Sequence, residues 1–385
     1  MGIKILGAST GSINLDVPAS VSGNIDFTLP TNTGSADQLL VTDGSGNLSF
    51  KTVNSATTNF VINGEMLVDQ RASGPYTTNG QYTLDRWRLE KNPSSVVAVT
   101  QDTDAPPGFS NSLKCETTSL GSPPSYEYGL LVTKLEGNAT LPLGWTTTSP
   151  QPATLSFYAK ASIAGTWCVT ISDANNNNQF IATYTISSAN TWERKSITIP
   201  NSFSSSNSFS TDNQISIQIK FDLGHGSMWQ TDAPNHWITQ SSYASTSGAV
   251  HLSYNLNATF KVTGVQLEVG DTVSKYQHES YAESLARCLR YFCKLKWSLC
   301  NPIYGIAYRI IAPAPVMKMR ANPSVAYFSP STGASNVTYE HSSASARTIN
   351  SVNSTSDTAG PSTYFGMSTN AVYGQYVNTH FDAEL

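Results

Sequence analysis

Short runs of alternating apolar and polar residues, cut by Ser, Asn, Gly and Pro, dominate the chain. Period-two runs of this kind predict strands with one apolar face. They recur at Ser95–Thr100, Thr154–Ala159, Trp167–Ile171, Phe180–Ile186, Ser196–Ile199, Gln214–Phe221, Val250–Tyr254 and Thr259–Glu268. Polar turns such as Asn175–Asn178 and Asn201–Ser208 separate them. Eight or more strands with no helix between them predict a jelly-roll β-sandwich over residues 59–279. Residues 1–58 repeat the alternation in thinner pieces, with Ile13, Leu15 and Val17 in one and Ile25, Phe27 and Leu29 in another. Asp43-Gly44-Ser45-Gly46-Asn47 is a turn cluster before Leu48-Ser49-Phe50. Strands this short are marginal alone. The segment therefore needs a partner for its apolar faces, and copies of itself about a symmetry axis supply one. The competing reading is a flexible linker.

Residues 280–299 break the pattern. Ser280 with Glu283 three residues on is a capping box. Tyr281, Leu285, Cys288, Phe292, Leu295 and Leu299 follow at spacings of 4, 3, 4, 3 and 4, a heptad seam that predicts a helix. Such a helix is either a three-stranded coiled-coil stub or a helix packed on its own domain. Pro302 helps to end it. Residues 300–385 return to short strands, clearest at Ile306–Ile311, Ser324–Phe328 and Asn336–Glu340, and read as a β-rich tip domain. The expected order is thus a strand-pairing segment 1–58, a sandwich 59–279, a connecting helix 280–299 and a tip 300–385.

Composition narrows the function. Only 12 % of the 385 residues are charged and the net charge is −4, which excludes the basic footprint of a nucleic-acid binder. With 18 Tyr, 14 Phe and 7 Trp, the chain is too rich in buried-type residues for disorder. No apolar run reaches the 18 or so residues of a membrane span, and Met1–Thr10 lacks an apolar run of signal-peptide length. The five cysteines, Cys115, Cys168, Cys288, Cys293 and Cys300, are irregularly spaced and form no CxxC pair. That pattern fits buried thiols made in a reducing cytosol better than disulfides or zinc.

Catalytic motifs fail on context. Gly7-Ala-Ser9-Thr-Gly11 matches G-x-S-x-G, but it precedes a strand where a nucleophile elbow needs a helix. His278-Glu279 is followed by Ala282 where a zincin needs its second histidine. Asp102 with Asp104, or Asp222 with Asp232, are the pairs open to a glycosidase reading. No cofactor is expected, although the acidic loop Asp102–Asp104 offers oxygens to a structural Ca²⁺. Binding is the remaining chemistry. A sugar stacks its C–H face on an aromatic ring while amide and carboxylate side chains bond its hydroxyls. The loop Gly224–Gln240 has that mixture, with Trp229, Asp232, Asn235, His236 and Trp237 as candidates. The alternative is that these tryptophans plug the sandwich. Tyr364, Phe365, Tyr373 and Tyr376 are the candidates in the tip.

Three stretches resemble tail fibre proteins of tailed bacteriophages, especially those of cyanobacterial phages. Leu29–Phe50, LPTNTGSADQLLVTDGSGNLSF, is similar to a segment repeated in such fibres. Asn59–Trp87, with NFVINGEMLVDQR and YTLDRW, resembles the opening of their carbohydrate-binding-module-like sandwich. Thr263–Tyr291, with QLEVG and ESLARCLRY, resembles its end and the following helix, and Asp382-Ala-Glu-Leu385 resembles their usual terminus. The resemblance implies a non-catalytic homotrimeric fibre of the virion tail, assembled in the host bacterial cytoplasm. Its N-terminal segment would join the tail or baseplate, and its distal domains would meet a host cell-surface glycan such as lipopolysaccharide, with no membrane insertion. It further implies that Asp69, Arg71, Asp85, Arg86 and Trp87 are structural, tying the first strands together. A spacer fibre, a glycan depolymerase and a monomeric secreted lectin are the competing readings. Light scattering of the full-length protein is expected to give about three times 41.4 kDa. A monomer mass would remove the trimer reading, leave the apolar faces of 1–58 without an explanation and favour a stand-alone carbohydrate-binding sandwich.

Overall fold

A computed structural model describes residues 3–6, 12–15, 26–34, 38–52, 58–71, 74–92, 96–120, 125–204, 207–239, 244–299, 319–321, 323–328, 337–340, 345–355, 362–367 and 375–385. Two compact units result, Met1–Ala56 and Thr57–Leu385. The first holds two antiparallel hairpins, β1 (Ile3–Leu6) with β2 (Ser12–Leu15), and β3 (Gln38–Thr42) with β4 (Leu48–Thr52). Between β3 and β4, one Asp43 oxygen accepts from the Ser45 and Asn47 amides at 2.8 and 3.1 Å. The Asn47 side chain donates to the other at 2.6 Å. These bonds, that of the Asn47 side chain foremost, hold the Asp43 carboxyl below its ordinary value. The unit is too thin to cover its own apolar residues: Phe27, Leu29, Leu39 and Leu40 are 49 to 70 % exposed.

The second unit is built on a sandwich. In chain order its strands are β5 (Gln81–Tyr82), β6 (Trp87–Lys91), β7 (Val96–Asp102), β8 (Ser112–Ser119), β9 (Tyr128–Glu136), β10 (Ala153–Ala161), β11 (Gly165–Asp173), β12 (Gln179–Ile186), β13 (Glu193–Ile199), β14 (Ile215–His225), β15 (Trp237–Ile238) and β16 (Thr259–Val269). One turn of helix, α1 (Gly137–Thr140), follows β9. A five-stranded antiparallel sheet, β13-β10-β16-β8-β7, faces a seven-stranded one, β15-β12-β11-β14-β9-β6-β5. Alternation sends Trp87 and Leu89 of β6, Trp167, Val169 and Ile171 of β11, and Ile217, Ile219 and Phe221 of β14 into the shared core. Phe157 meets Phe221 edge-on at 5.0 Å, and Trp167 stacks on Phe260 at 5.1 Å.

The other face of the seven-stranded sheet is also covered. Cys168, Thr170 and Ser172 point away from the core, yet all three are buried. The segment Ala244–Thr246 lies over them: Thr170 Oγ1 donates to the Ala244 carbonyl at 3.2 Å, and Cys168 Sγ is 3.8 Å from Thr246 Oγ1. Leu130, Val132 and Ala244 form a small apolar cluster there. Double coverage explains why β9 and β14 are buried along nearly their whole length.

Several expectations change. The sandwich forms over the expected region, but Val250–Tyr254 holds a 3-10 turn, Leu252–Tyr254, rather than a strand. The helix over 280–299 is α2 (Tyr281–Leu289) only, with the capping box of Ser280 and Glu283 in place. Phe292, Leu295 and Leu299 of the expected seam lie instead on a strand, β17 (Phe292–Leu299). Its sequence FCKLKWSL alternates as well as it spaces by heptads, and a paired neighbour decides the outcome. That neighbour is β22 (Gln375–Asp382), antiparallel to it with Cys293 opposite Phe381. On α2, Tyr281 is 56 % exposed, while Leu285 and Cys288 pack with Ile62, Val68 and Tyr291 of the same unit. A boundary at 299/300 would therefore cut a sheet. That sheet also contains β18 (Ser324–Phe328), β19 (Val337–Glu340), β20 (Ser345–Thr355) and β21 (Ser362–Met367). The strand expected at Ile306–Ile311 lies outside the described residues.

The family-like motif locks this unit at both ends. Asn59 and Asn63 act as substitute backbone: Asn59 Oδ1 accepts from the Val61 and Leu267 amides at 3.0 and 3.1 Å. Asn63 Nδ2 donates to the Val68 and Asp85 carbonyls, both at 2.9 Å. Between them and β16 the backbone is so close that a Cβ on Gly64 would sit 2.2 Å from the Val265 carbonyl oxygen. Trp87 is fully buried and donates Nε1 to Asn63 O at 3.1 Å. Tyr76 donates its hydroxyl to Asp69 at 2.9 Å. Asp85 accepts from Gln70 N and Nε2, each at 2.7 Å, while burial pushes its carboxyl up to about 7. Arg86 takes a left-handed backbone (φ 71°), pairs with Glu384, donates to the Lys134 carbonyl and lies 3.5 Å over the Tyr291 ring. Arg71 lies 3.8 Å over Phe292 and 3.4 Å from carboxylates of Asp382 and Glu384. Glu384→Ala would leave Arg86 charged and buried, and is expected to lower the unfolding free energy by about 3–5 kcal/mol. Urea unfolding checks this; Arg86→Met combined with Glu384→Ala should lose less than Glu384→Ala alone.

Candidate functional site

The site begins where β14 ends. A register slip between Asp222 and Gly224 against β9 makes a bulge, a device that re-aims side chains. Gly224 has φ 132°, and a Cβ there would sit 2.2 Å from the His251 ring. Within the bulge, Asp222 Oδ1 accepts from Gly224 N at 2.7 Å and lies 2.5 Å from His225 Nδ1, which carries the proton that this contact needs. The chain then turns through a 3-10 helix, Ser227–Trp229. Trp229 Nε1 donates to Tyr126 O at 2.8 Å, and Ala244 N donates to Trp229 O at 3.0 Å. Trp229 and Tyr128 stand nearly perpendicular, 84° apart with centroids at 6.3 Å, and Tyr128 stacks on His225 at 6.2 Å.

The opposite wall is the turn Asp173–Asn178. Asp173 accepts from the amides of Asn177, Asn178 and Ser208 at 2.8, 3.2 and 2.9 Å. That fixes Asn176 at φ 61°, where its Oδ1 accepts from Ser172 Oγ at 2.9 Å, Gln218 Nε2 at 3.3 Å and Lys220 Nζ. Between the walls lies a cavity of about 250 Å³ on the outer face of the seven-stranded sheet. Trp229, Tyr128, His225 and Ala244 line one side, and Asn176, Gln179, Lys220, Leu130 and Glu90 the rest.

Its electrostatics are uneven. Glu90 is held by Arg88 Nε at 3.5 Å and Lys134 Nζ at 3.7 Å. Lys220 is only 6 % exposed, and burial draws its ammonium down to about 8, against the opposing pull of Glu90 and Asp173. Beneath the covering loop, burial pushes the Cys168 thiol up to about 12 and draws His251 down to about 4. The Asp222 Oδ2 atom and the His251 Nε2 atom are further buried polar groups here.

Of the five loop candidates, Trp229 alone lines the cavity. Asp232 and His236 are exposed. Asn235 pins the loop to β12, donating its amide to Ile181 O at 2.6 Å and accepting from Thr183 N at 3.1 Å. Trp237 packs among Trp145, Phe180, Phe203 and Phe209 and donates Nε1 to Pro200 O at 2.6 Å, the plugging role of the alternative reading. Asp102 and Asp104 face lysines: Lys261 lies 2.9 and 2.7 Å from them, and Lys160 is 2.9 Å from Asp104. Those contacts, the Lys261 bond first, hold Asp104 well below the usual carboxylate range. Among the described residues, no group of three or more His, Cys, Asp or Glu is placed to hold a metal ion. In the tip, Tyr364 and Phe365 fall on β21 and Tyr376 on β22, while Tyr373 lies outside the described residues.

No protein-family model matches the chain, and no curated protein matches it. Solved structures similar to it include the enzymatically active domain of bacteriophage CBA120 tailspike protein 4, with 15 % identity and a TM-score of 0.31, over 55 % of this chain and 21 % of that one. A family 11 carbohydrate-binding module from Clostridium thermocellum, in complex with a mixed-linked tetrasaccharide, gives 12 % and 0.28 over 52 % of this chain and 96 % of that one. A putative sugar binding protein from Bacteroides thetaiotaomicron gives 12 % and 0.33 over 55 % and 100 %. The chain thus spans about a fifth of the tailspike's length. Likeness at this level carries no function across.

Lys220 provides a check on the site's electrostatics. Because its folded value lies below the free-lysine value, the stability that it contributes is present above about 10.5 and is lost as pH falls through about 8. Wild-type stability, measured by urea unfolding relative to Lys220→Met, is therefore expected to rise between pH 8 and pH 10. An unchanged difference would mean that the ammonium is solvated.

Proposed function

We propose that the chain is a non-catalytic glycan-binding fibre protein of a phage tail, whose sandwich cavity holds a sugar of a host surface polysaccharide. The observation that carries this is the pairing, in one cavity, of the perpendicular Trp229 and Tyr128 rings with Asn176, Gln179, Lys220 and Glu90. A pyranose needs both an aromatic plate for its C–H face and planar polar groups for its hydroxyls. A volume of about 250 Å³ lies just under the roughly 300–1,000 Å³ of drug-sized sites. It suits one sugar unit with the rest of the chain outside. Among the described lining residues Glu90 is the one carboxylate, and it is engaged by two cations, which supports binding over the paired-carboxylate chemistry of a glycosidase.

Homotrimerisation and attachment through residues 1–58 complete the proposal. They are supported by the resemblance to tail fibres and by the exposed Phe27, Leu29, Leu39 and Leu40, apolar residues that symmetric copies would cover. Three-fold display multiplies a weak single-site affinity without new contacts.

Trp229→Ala is expected to weaken binding to an array of bacterial polysaccharides about tenfold or more, with thermal stability nearly unchanged because the ring packs outside the core. Trp237→Ala should destabilise the sandwich instead. Retained binding by the Trp229 variant would move the site out of the cavity. New reducing ends after incubation with a bound polysaccharide would overturn the non-catalytic part of the reading.

A further inference from the structure

Lys220 is over-provided for a neutral sugar. It sits on central β14, facing away from the core, and lines the cavity. An ammonium has three donors; the recorded hydrogen bond of this one goes to Asn176 Oδ1. Among the described residues no carboxylate lies within ion-pair distance of it. The acids around it are spent elsewhere. Glu90 is shared between Arg88 and Lys134, Asp173 accepts three backbone amides, and Asp222 holds His225. Burying a charge without a counter-charge is unfavourable, and here the fold supplies none at contact distance. A charge kept this way, in a cavity that an aromatic ring also lines, suits an anion brought by the ligand.

We propose that the cavity selects a sugar bearing an anionic group, set against Lys220 Nζ while the sugar's apolar face lies on Trp229. This rests on the glycan reading of the same cavity and names the class of sugar: a uronic acid or another carboxylate-bearing unit, or a sugar carrying a sulfate or phosphate ester. Asn176 and Gln179 serve its hydroxyls. Glu90 stays with its two cations and excludes a ligand whose anion is placed toward β6.

The test uses the full-length protein and calorimetry with three oligosaccharides on a common ring scaffold: neutral galactotriose, trigalacturonate and a sulfated galactotriose. At least one anionic probe is expected to bind about tenfold tighter or more than the neutral one, as a charge-assisted hydrogen bond allows. Lys220→Met should collapse that ratio toward one. Lys195→Met, on β13 of the opposite sheet, should leave the ratio as it is. Preference for trigalacturonate assigns the carboxylate, and preference for the sulfated probe assigns the ester. Equal affinity for all three, lost in Trp229→Ala, overturns the anionic selectivity and leaves the glycan reading standing. Binding of neutral and anionic probes alike that ignores Trp229→Ala overturns the glycan reading of the cavity, and this inference with it. A Lys220→Met protein with wild-type thermal stability or better shows that its lost ratio is not lost folding.

Discussion

One buried ion pair, Arg86 with Glu384, is the contact on which the second unit closes. Arg86 leaves the turn before β6 in a left-handed conformation and reaches under Tyr291, just beyond α2. Glu384 arrives from the far end of β22. Around the pair, Arg71 bridges to the same carboxylate, Arg320 donates to the carbonyls of Ala383 and Glu384 at 2.9 and 3.1 Å, and Arg290 holds Glu136 at the end of β9. Sandwich, helix and C-terminal sheet thus meet at guanidinium groups, in a chain that otherwise uses few charges. Planar, multidentate donors suit this place, because each can satisfy two or three neighbours at once.

Elsewhere the low charge content is made up by asparagine. Asn59 and Asn63 hold the opening segment before β5, Asn176 and Asn178 build one cavity wall, and Asn235 pins the loop beyond the other. Of these, Asn63, Asn176 and Asn235 adopt positive φ, a conformation that asparagine tolerates better than other side chains. A single residue type both shapes the turn and bonds the backbone around it. The cavity accordingly sets two amides, Asn176 and Gln179, beside two charged groups, Lys220 and Glu90.

Much of the sandwich is legible because β10, β11, β12 and β13 alternate, as does β16 on either side of a phase break between Val262 and Val265. β8 was not, since its core-facing positions are Leu113, Cys115 and Thr117, two of which do not read as apolar anchors. β9 hides its alternation because both its faces are covered. The heptad seam failed for a related reason: FCKLKWSL satisfies two periods, and only the long-range partner β22 selects the strand. At the site, Trp229 was visible as an aromatic in a polar loop. Lys220 looked like an ordinary outward residue of the strand read at Gln214–Phe221, and Glu90 lay in a stretch where the sequence showed no strand. Their importance comes from the segments Ser227–Trp229 and Ala244–Thr246 lying against the outer face of the sheet, which local pattern does not encode. Asn176 lay in a stretch legible only as a turn.

The sequence distance between Arg86 and Glu384 is 298 residues. At a synthesis rate of about 5–20 residues per second, Arg86 is made roughly 15–60 s before its partner. Until Glu384 is made, the Arg86 guanidinium lacks the carboxylate that answers it in the folded unit. Synthesis as far as Glu384 is thereby written into the stability of the segment before β6: a product truncated ahead of that residue keeps a guanidinium without its carboxylate.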